Sequence, residues 1–172
     1  MLKQEMQDAL NKQINEELFS AYLYASMASY FEHTNLRGFA QWMRVQSEEE
    51  LDHARRLVNY INNRNGRVYY AAVAAPQVDW DSAVGAMEDS YKHECHISAC
   101  INELSSMAMR LNDHATHAFL EWFVTEQVEE EASADGVVQQ LKLMEGAPGG
   151  MFLLDRELGQ RSGANDGKGR ED

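Results

Sequence analysis

Four long apolar stripes, each broken near its middle by polar residues, constrain this chain more than any other feature. The first, from about residue 5 to 33, reads Leu10, Ile14, Glu17, Ala21, Tyr24, Ala28 and Phe31. The second, from about 37 to 64, reads Phe39, Met43, Gln46, Glu50, His53, Leu57 and Tyr60. The third, from about 80 to 111, carries Glu94 between Tyr91 and Ile97, and the fourth, from about 114 to 144, carries Gln127 and Glu130 between Phe123 and Ala134. Steps that alternate between three and four residues keep one face of a helix toward its neighbours. Only two prolines and eleven glycines occur in 172 residues, so helices of this length can run unbroken.

The connections set the topology. "HTNLRG" and "RLNDHAT" are short, and they predict antiparallel hairpins between the first two and the last two helices. The segment "NRNGRVYYAAVAAPQVDWDS" is long enough to travel the length of a bundle, and Asp81 or Ser82 is placed to cap the helix after it. The fold class is therefore all-α: a four-helix bundle with one long crossover, in which the second and third helices run parallel. After the stop "EGAPGG", "MFLLDRELGQR" predicts a short fifth helix whose Met151, Phe152, Leu153 and Leu154 need burial, against other subunits for instance. One domain over residues 1–160 is expected, followed by a polar, Gly-rich and disordered tail over 161–172.

Within "QSEEELDHARRL", Glu50 and His53 fall on the stripe, Glu48 and Asp52 fall off it, and Glu49 sits at its edge. Glu17, Glu50, Glu94 and Glu130, with His53 and Gln127, thus meet in one layer of the core. Burying several carboxylates without compensation costs many kcal/mol or forces them to take up protons. A bound cation is the natural compensation, and carboxylates with a neutral imidazole suit iron, manganese or zinc. Glu50 and His53 stand at i and i+3, so one turn presents both to the same ion. The net charge of −13 argues against nucleic-acid binding and favours cationic partners. No apolar run approaches a membrane span, no signal peptide is read at the start, and Cys95 and Cys100 do not make a disulfide framework. A cytoplasmic protein is expected.

From Met1 to about Gln160 the chain resembles the bacterial non-haem ferritins, ferritin-like bundles of the ferroxidase-active type. The resemblance rests on "NKQINEELFSAYLY", "EEELDHARRL", "YKHECHISACINEL", "FLEWFVTEQVEEE" and "MFLLDRELG", in that order and spacing. It implies a homo-oligomeric shell of twenty-four subunits that oxidises ferrous iron with O2 or H2O2 and stores ferric mineral. It implies a di-iron centre in each subunit, with Glu17, Glu50 and His53 on one iron. Glu50 bridges to the other, which takes Glu94 with Gln127 and Glu130 close by. It further implies a third iron site at Glu49, Glu126, Glu129 and Glu130. Tyr24 matches a tyrosine beside the centre that hydrogen-bonds a ligand or supplies an electron. Glu121, with His117 one turn earlier, resembles an iron-entry channel lining.

The departures from related families are informative. Glu130 stands where bacterioferritins have a histidine, and Leu51 stands where their haem-ligating methionine falls, so haem is not expected by that route. The cysteine-rich domain of rubrerythrins is absent, and the fifth helix distinguishes the chain from mini-ferritins. Three readings stay open on the sequence: an iron-storing ferroxidase cage, a di-iron redox enzyme, and a helical assembly protein without metal.

Overall fold

A computed structural model describes residues 2–144, 146–147 and 149–163. Its elements are α1 (Gln4–His33), α2 (Arg37–Asn63), α3 (Ala83–Arg110), α4 (His114–Leu143) and α5 (Gly150–Leu158), and no strand occurs among the described residues. The expected starts and stops agree within a few residues. The third helix begins later than its stripe suggests because Ser82 is its N-cap, with the side chain accepting from Gly85 N–H at 3.0 Å. Asp113 caps α4 in the same way through Thr116 N–H.

The first three helices end alike. Asn35, Asn65 and Asn112 adopt left-handed backbone at φ 62°, 55° and 54°. The next amide then reaches back inside the helix: Leu36 N–H to Phe31 O, Gly66 N–H to Ile61 O and Asp113 N–H to Ala108 O, each at 2.9 Å. Asparagine tolerates this conformation better than other residues with a side chain, so all three helices stop cleanly.

Two apolar clusters fill the bundle. One joins Met27 and Phe31 of α1, Phe39 and Met43 of α2, Met87 of α3, Val138 and Leu141 of α4, and Leu154 and Leu158 of α5. The other joins Leu10 and Ile14, Leu57 and Ile61, Ile101 and Leu104, and Leu120 and Phe123. The start of α3 therefore lies beside the start of α2, and the two helices run parallel as the long gap predicts. The gap itself climbs α1. Gln7 Oε1 accepts from Arg67 N–H, Asn11 Oδ1 from Tyr69 N–H, Asn15 donates to Ala72 O, and Ser26 donates to Gln77 O. Polar residues spaced along one face of α1 thus satisfy a connection that has no secondary structure of its own.

The fifth helix docks on the start of α2. Asp155 Oδ1 accepts from Gly38 N–H at 2.8 Å and Phe39 N–H at 3.1 Å, so a side chain of α5 caps α2. Gly38 makes room for it: a Cβ there would sit 1.5 Å from Asp155 O. The expectation for the apolar face of α5 needs one correction. Leu154 is buried in its own bundle, because Asp155 pins the helix with that side inward, whereas Met151, Phe152 and Leu153 face outward. Of the expected tail, 161–163 are described and 164–172 lie outside the described residues. No helix among the described residues is long and apolar enough to cross a membrane.

Asp155→Ala removes two charge-assisted bonds and should destabilise the fold by about 1–2 kcal/mol. Gly38→Ala should cost more, because backbone must move. Thermal melts and hydrogen exchange of α5 check both; unchanged protection of α5 in Gly38→Ala would refute the close approach.

Candidate metal centre

The apolar clusters leave a polar layer between them. Glu17, Glu50, His53, Glu94, Gln127 and Glu130 all lie in it, each 5% exposed or less. They arrive from all four long helices because each stripe breaks at the same height. Glu17 and Gln13 come from α1, Gln46, Glu50 and His53 from α2, Glu94 from α3, and Gln127 and Glu130 from α4.

Ligand atoms of Glu17, Glu50 and His53 lie within 4.8 Å of one another. A second trio, His53, Glu126 and Glu130, meets the same limit. His53 thus belongs to both, with one ring nitrogen 3.2 Å from Glu50 Oε2. That pair is close but not aligned as a hydrogen bond, and Glu50 Oε2 is buried without a hydrogen-bond partner in the protein. Glu17 Oε2 is in the same condition, while Glu17 Oε1 accepts from Gln13 Nε2 at 3.0 Å. Two buried carboxylate oxygens aimed at one imidazole, without donors, are the chemistry of a cation site.

Glu94 stands outside both trios. It accepts from Tyr24 O–H and, at 3.2 Å, from Gln127 Nε2, which also reaches Glu94 O. Tyr24 is therefore a donor that orients a carboxylate, and Gln127 does the same from α4. Glu130 Oε2 accepts from Gln46 Nε2 at 2.8 Å. The edges of Trp122 and Phe123 pack against the ring of His53, which limits its rotation.

Electrostatics report the crowding. Burial pushes the Glu17 carboxyl well above the usual range, and the neighbouring Glu50 charge adds to it. Glu50 is raised well above its ordinary value by burial, then by Glu94. Glu94 is pushed up to about 7 by burial and by Glu130, against the bonds from Tyr24 and Gln127. Burial raises Tyr24 too. At neutral pH the layer holds protons that an incoming cation can replace.

The residues expected at a third site are not gathered equally. Glu126 is half-buried and close to His53 and Glu130, and Glu129 is exposed. Glu49 turns to Arg161, whose Nη2 lies 2.7 Å from Glu49 Oε2. His117 and Glu121 face each other at 4.0 Å near the start of α4, with Glu121 exposed. Cys95 and Cys100 are free thiols.

The sequence reading missed three participants. Gln13 sits one turn before Glu17, and a search for donors at i−4 would have found it. Gln46 was on the stripe, but its pairing with Glu130 spans 84 residues. Arg161 gave no signal at all, since it reaches Glu49 only through the docking of α5.

Comparison with known proteins agrees with this geometry. The family model described as a ferritin-like domain matches residues 7–144. A bacterial non-heme ferritin of Bacteroides fragilis is 40% identical over 161 residues, covering 94% of this chain and all of the relative. One from Staphylococcus aureus is 36% identical over 162 residues, covering 94% of this chain and 98% of the relative. Among solved structures, the open-pore ferritin of the archaeon Archaeoglobus fulgidus superposes with a TM-score of 0.93 at 48% identity, over 94% of this chain and all of that one. A form of that ferritin engineered to close gives 0.94 at 47% identity, over 95% of this chain and all of that one. A single bundle that matches a family model over 7–144, and such relatives end to end, belongs to the ferritin family of iron-storage proteins.

Proposed function

We propose that this chain is an iron-storing ferroxidase, with ferrous iron as the substrate of an intrasubunit two-metal centre. The observation that carries the reading is the buried Glu17–Glu50–His53 trio, whose ligand atoms lie within 4.8 Å of one another in the core. Those three residues hold the first iron. Glu50 bridges to the second, which takes Glu94, with Gln127 and Glu130 beside it. Tyr24 and Gln127 fix the Glu94 carboxylate, and Gln13 and Gln46 fix Glu17 and Glu130, so the donor set needs little rearrangement to receive iron. A third site draws on Glu126, Glu129, Glu130 and Glu49.

Two ferrous ions each give up one electron. Dioxygen takes both electrons and two protons to become H2O2; with H2O2 as oxidant, the product is water. Hard anionic carboxylates favour the ferric product, which hydrolyses, releases protons and adds to stored mineral. Storage requires an enclosed volume, and we read the assembly as a homo-oligomeric cage of twenty-four chains in the cytoplasm. The outward Met151, Phe152 and Leu153 of α5 support a further contact between chains, and Phe152 is 70% exposed.

Metal-free protein given excess Fe(II) in air should show a fast oxidation phase of about two irons per chain, the remainder staying soluble in a large particle. Glu50→Ala and His53→Ala should each reduce the fast phase to the rate of a protein-free control while the particle size is kept. A normal fast phase in Glu50→Ala would sink the assignment. A fast phase followed by precipitation of excess iron would indicate a di-iron enzyme without a store.

A second test uses the elevated Glu94 pKa. The folded state holds this proton up to about pH 7, whereas the unfolded chain releases it near its ordinary value of 4.5. Metal-free stability should therefore fall as pH rises between those two values, by about 1.4 kcal/mol per unit from this group at most. Glu94→Gln should flatten that slope and raise the melting point of the metal-free protein at pH 7. It should also weaken metal binding, which a melt with added Zn(II) reads directly. A melting point for metal-free Glu94→Gln below that of the parent at pH 7 would contradict the burial argument.

A further inference from the structure

Arg161 makes a hydrogen-bonded ion pair with Glu49 beside the centre, while Arg56, stacked on Trp122, acts on Glu126 only through its charge; the function above leaves Arg161 unused. It follows α5, so its place is set by the Asp155–Gly38 contact at the start of α2. Its guanidinium lies over the Trp42 ring at 4.8 Å, and Gln41 Nε2 donates to its carbonyl oxygen at 3.5 Å. From there Nη2 holds Glu49 Oε2 at 2.7 Å. Glu49 is in turn within electrostatic reach of Glu126, Glu130 and His53. The trio His53–Glu126–Glu130 nevertheless closes without it.

We infer that Arg161 is a built-in counter-cation that competes with the third metal ion for Glu49. The inference rests on the reading of Glu49, Glu126, Glu129 and Glu130 as a third iron site.

The grip has the character of a competitor rather than a fixed brace. The strongest arginine grip on a carboxylate is bidentate, with two parallel N–H bonds. Here Glu49 is held by one nitrogen, and Nη1 is buried without an acceptor in the protein. Both side chains are about a quarter exposed, so the pair is partly screened. A di- or trivalent ion brings two or three times the charge of guanidinium to the same oxygen. It can therefore displace Arg161, but part of its binding energy is spent in doing so. The third ion then binds more weakly than the first two, and Arg161 stands ready to retake Glu49 as it leaves. Such a site passes iron onward instead of retaining it.

The test is anaerobic calorimetric titration of the full-length, metal-free protein with Fe(II). Arg161→Met keeps an apolar stem on Trp42 and removes the charge. It should bind a third equivalent roughly ten- to a hundredfold more tightly than the parent, with the first two unchanged. Arg161→Lys keeps a charge near Glu49 and should stay close to the parent. Glu49→Gln combined with Arg161→Met should lose the gain. A thermal melt of each variant confirms the fold before titration. Unchanged third-equivalent affinity in Arg161→Met, with two tight equivalents present, overturns the competition alone. Equal gains in Arg161→Met and Arg161→Lys overturn it also, since packing and not charge would then be responsible. Absence of the two tight equivalents in the parent protein overturns the di-iron reading and this inference with it.

Discussion

The structure depends on confining charge to one layer of an otherwise apolar interior. Four glutamates with almost no exposure share the middle of the bundle, and two of them keep an oxygen without a donor. A bundle that only had to be stable would place leucine there. An unpaired buried ion costs several kcal/mol, and well-packed apolar side chains of similar volume do better than buried ion pairs in many proteins. The apolar clusters on either side supply the stability that the layer gives up. They also lower the local dielectric, which makes every oxygen in the layer a stronger partner for a cation.

This division explains which parts of the protein were legible in its sequence. The helix period is local, so the stripes, the hairpins and the breaks at Glu17, Glu50, Glu94 and Glu130 could be read residue by residue. The long gap could be read as a crossover because its length alone fixes what it can span. The Glu50–His53 pairing needed only the geometry of one helical turn. Arg161 and Glu49 are different, since their meeting spans 112 residues and depends on how α5 lands on α2. That landing depends on the absence of a Cβ at Gly38, which has no signature in a pattern of apolar and polar residues. Likewise Leu154 could be recognised as needing burial, but not as finding it in its own bundle.

The crossover is more than a connector. By running along α1 it uses Gln7, Asn11, Asn15 and Ser26 as rungs and holds the first helix in register with the third. Register matters here because the polar layer is only about two helical turns deep. Sliding α1 by one turn, about 5.4 Å, would separate Glu17 from Glu50 and His53. It would also separate Tyr24 from Glu94, the contact that ties α1 to α3 inside the layer. A segment without secondary structure thus fixes the position of two site residues on which it makes no contact.

Seen together, the partners of the carboxylates form a gradient. Glu94 is deep, has neutral donors from Tyr24 and Gln127, and keeps its proton to about pH 7. Glu17 and Glu50 are equally buried but incompletely satisfied. Glu49, at the edge, already has a full positive charge beside it in Arg161. In the proposed function, a divalent ion moving along this series replaces a proton in the core and a guanidinium at the rim. Replacing a proton leaves nothing behind to reclaim the oxygen at neutral pH except another proton, whereas a tethered guanidinium remains within reach at high local concentration. Under the proposed function, this arrangement suits a core that holds iron through oxidation and a rim that lets it go. In that reading the difference in counter-charge, a proton in the core and a tethered guanidinium at the rim, gives a cargo ion a direction of travel.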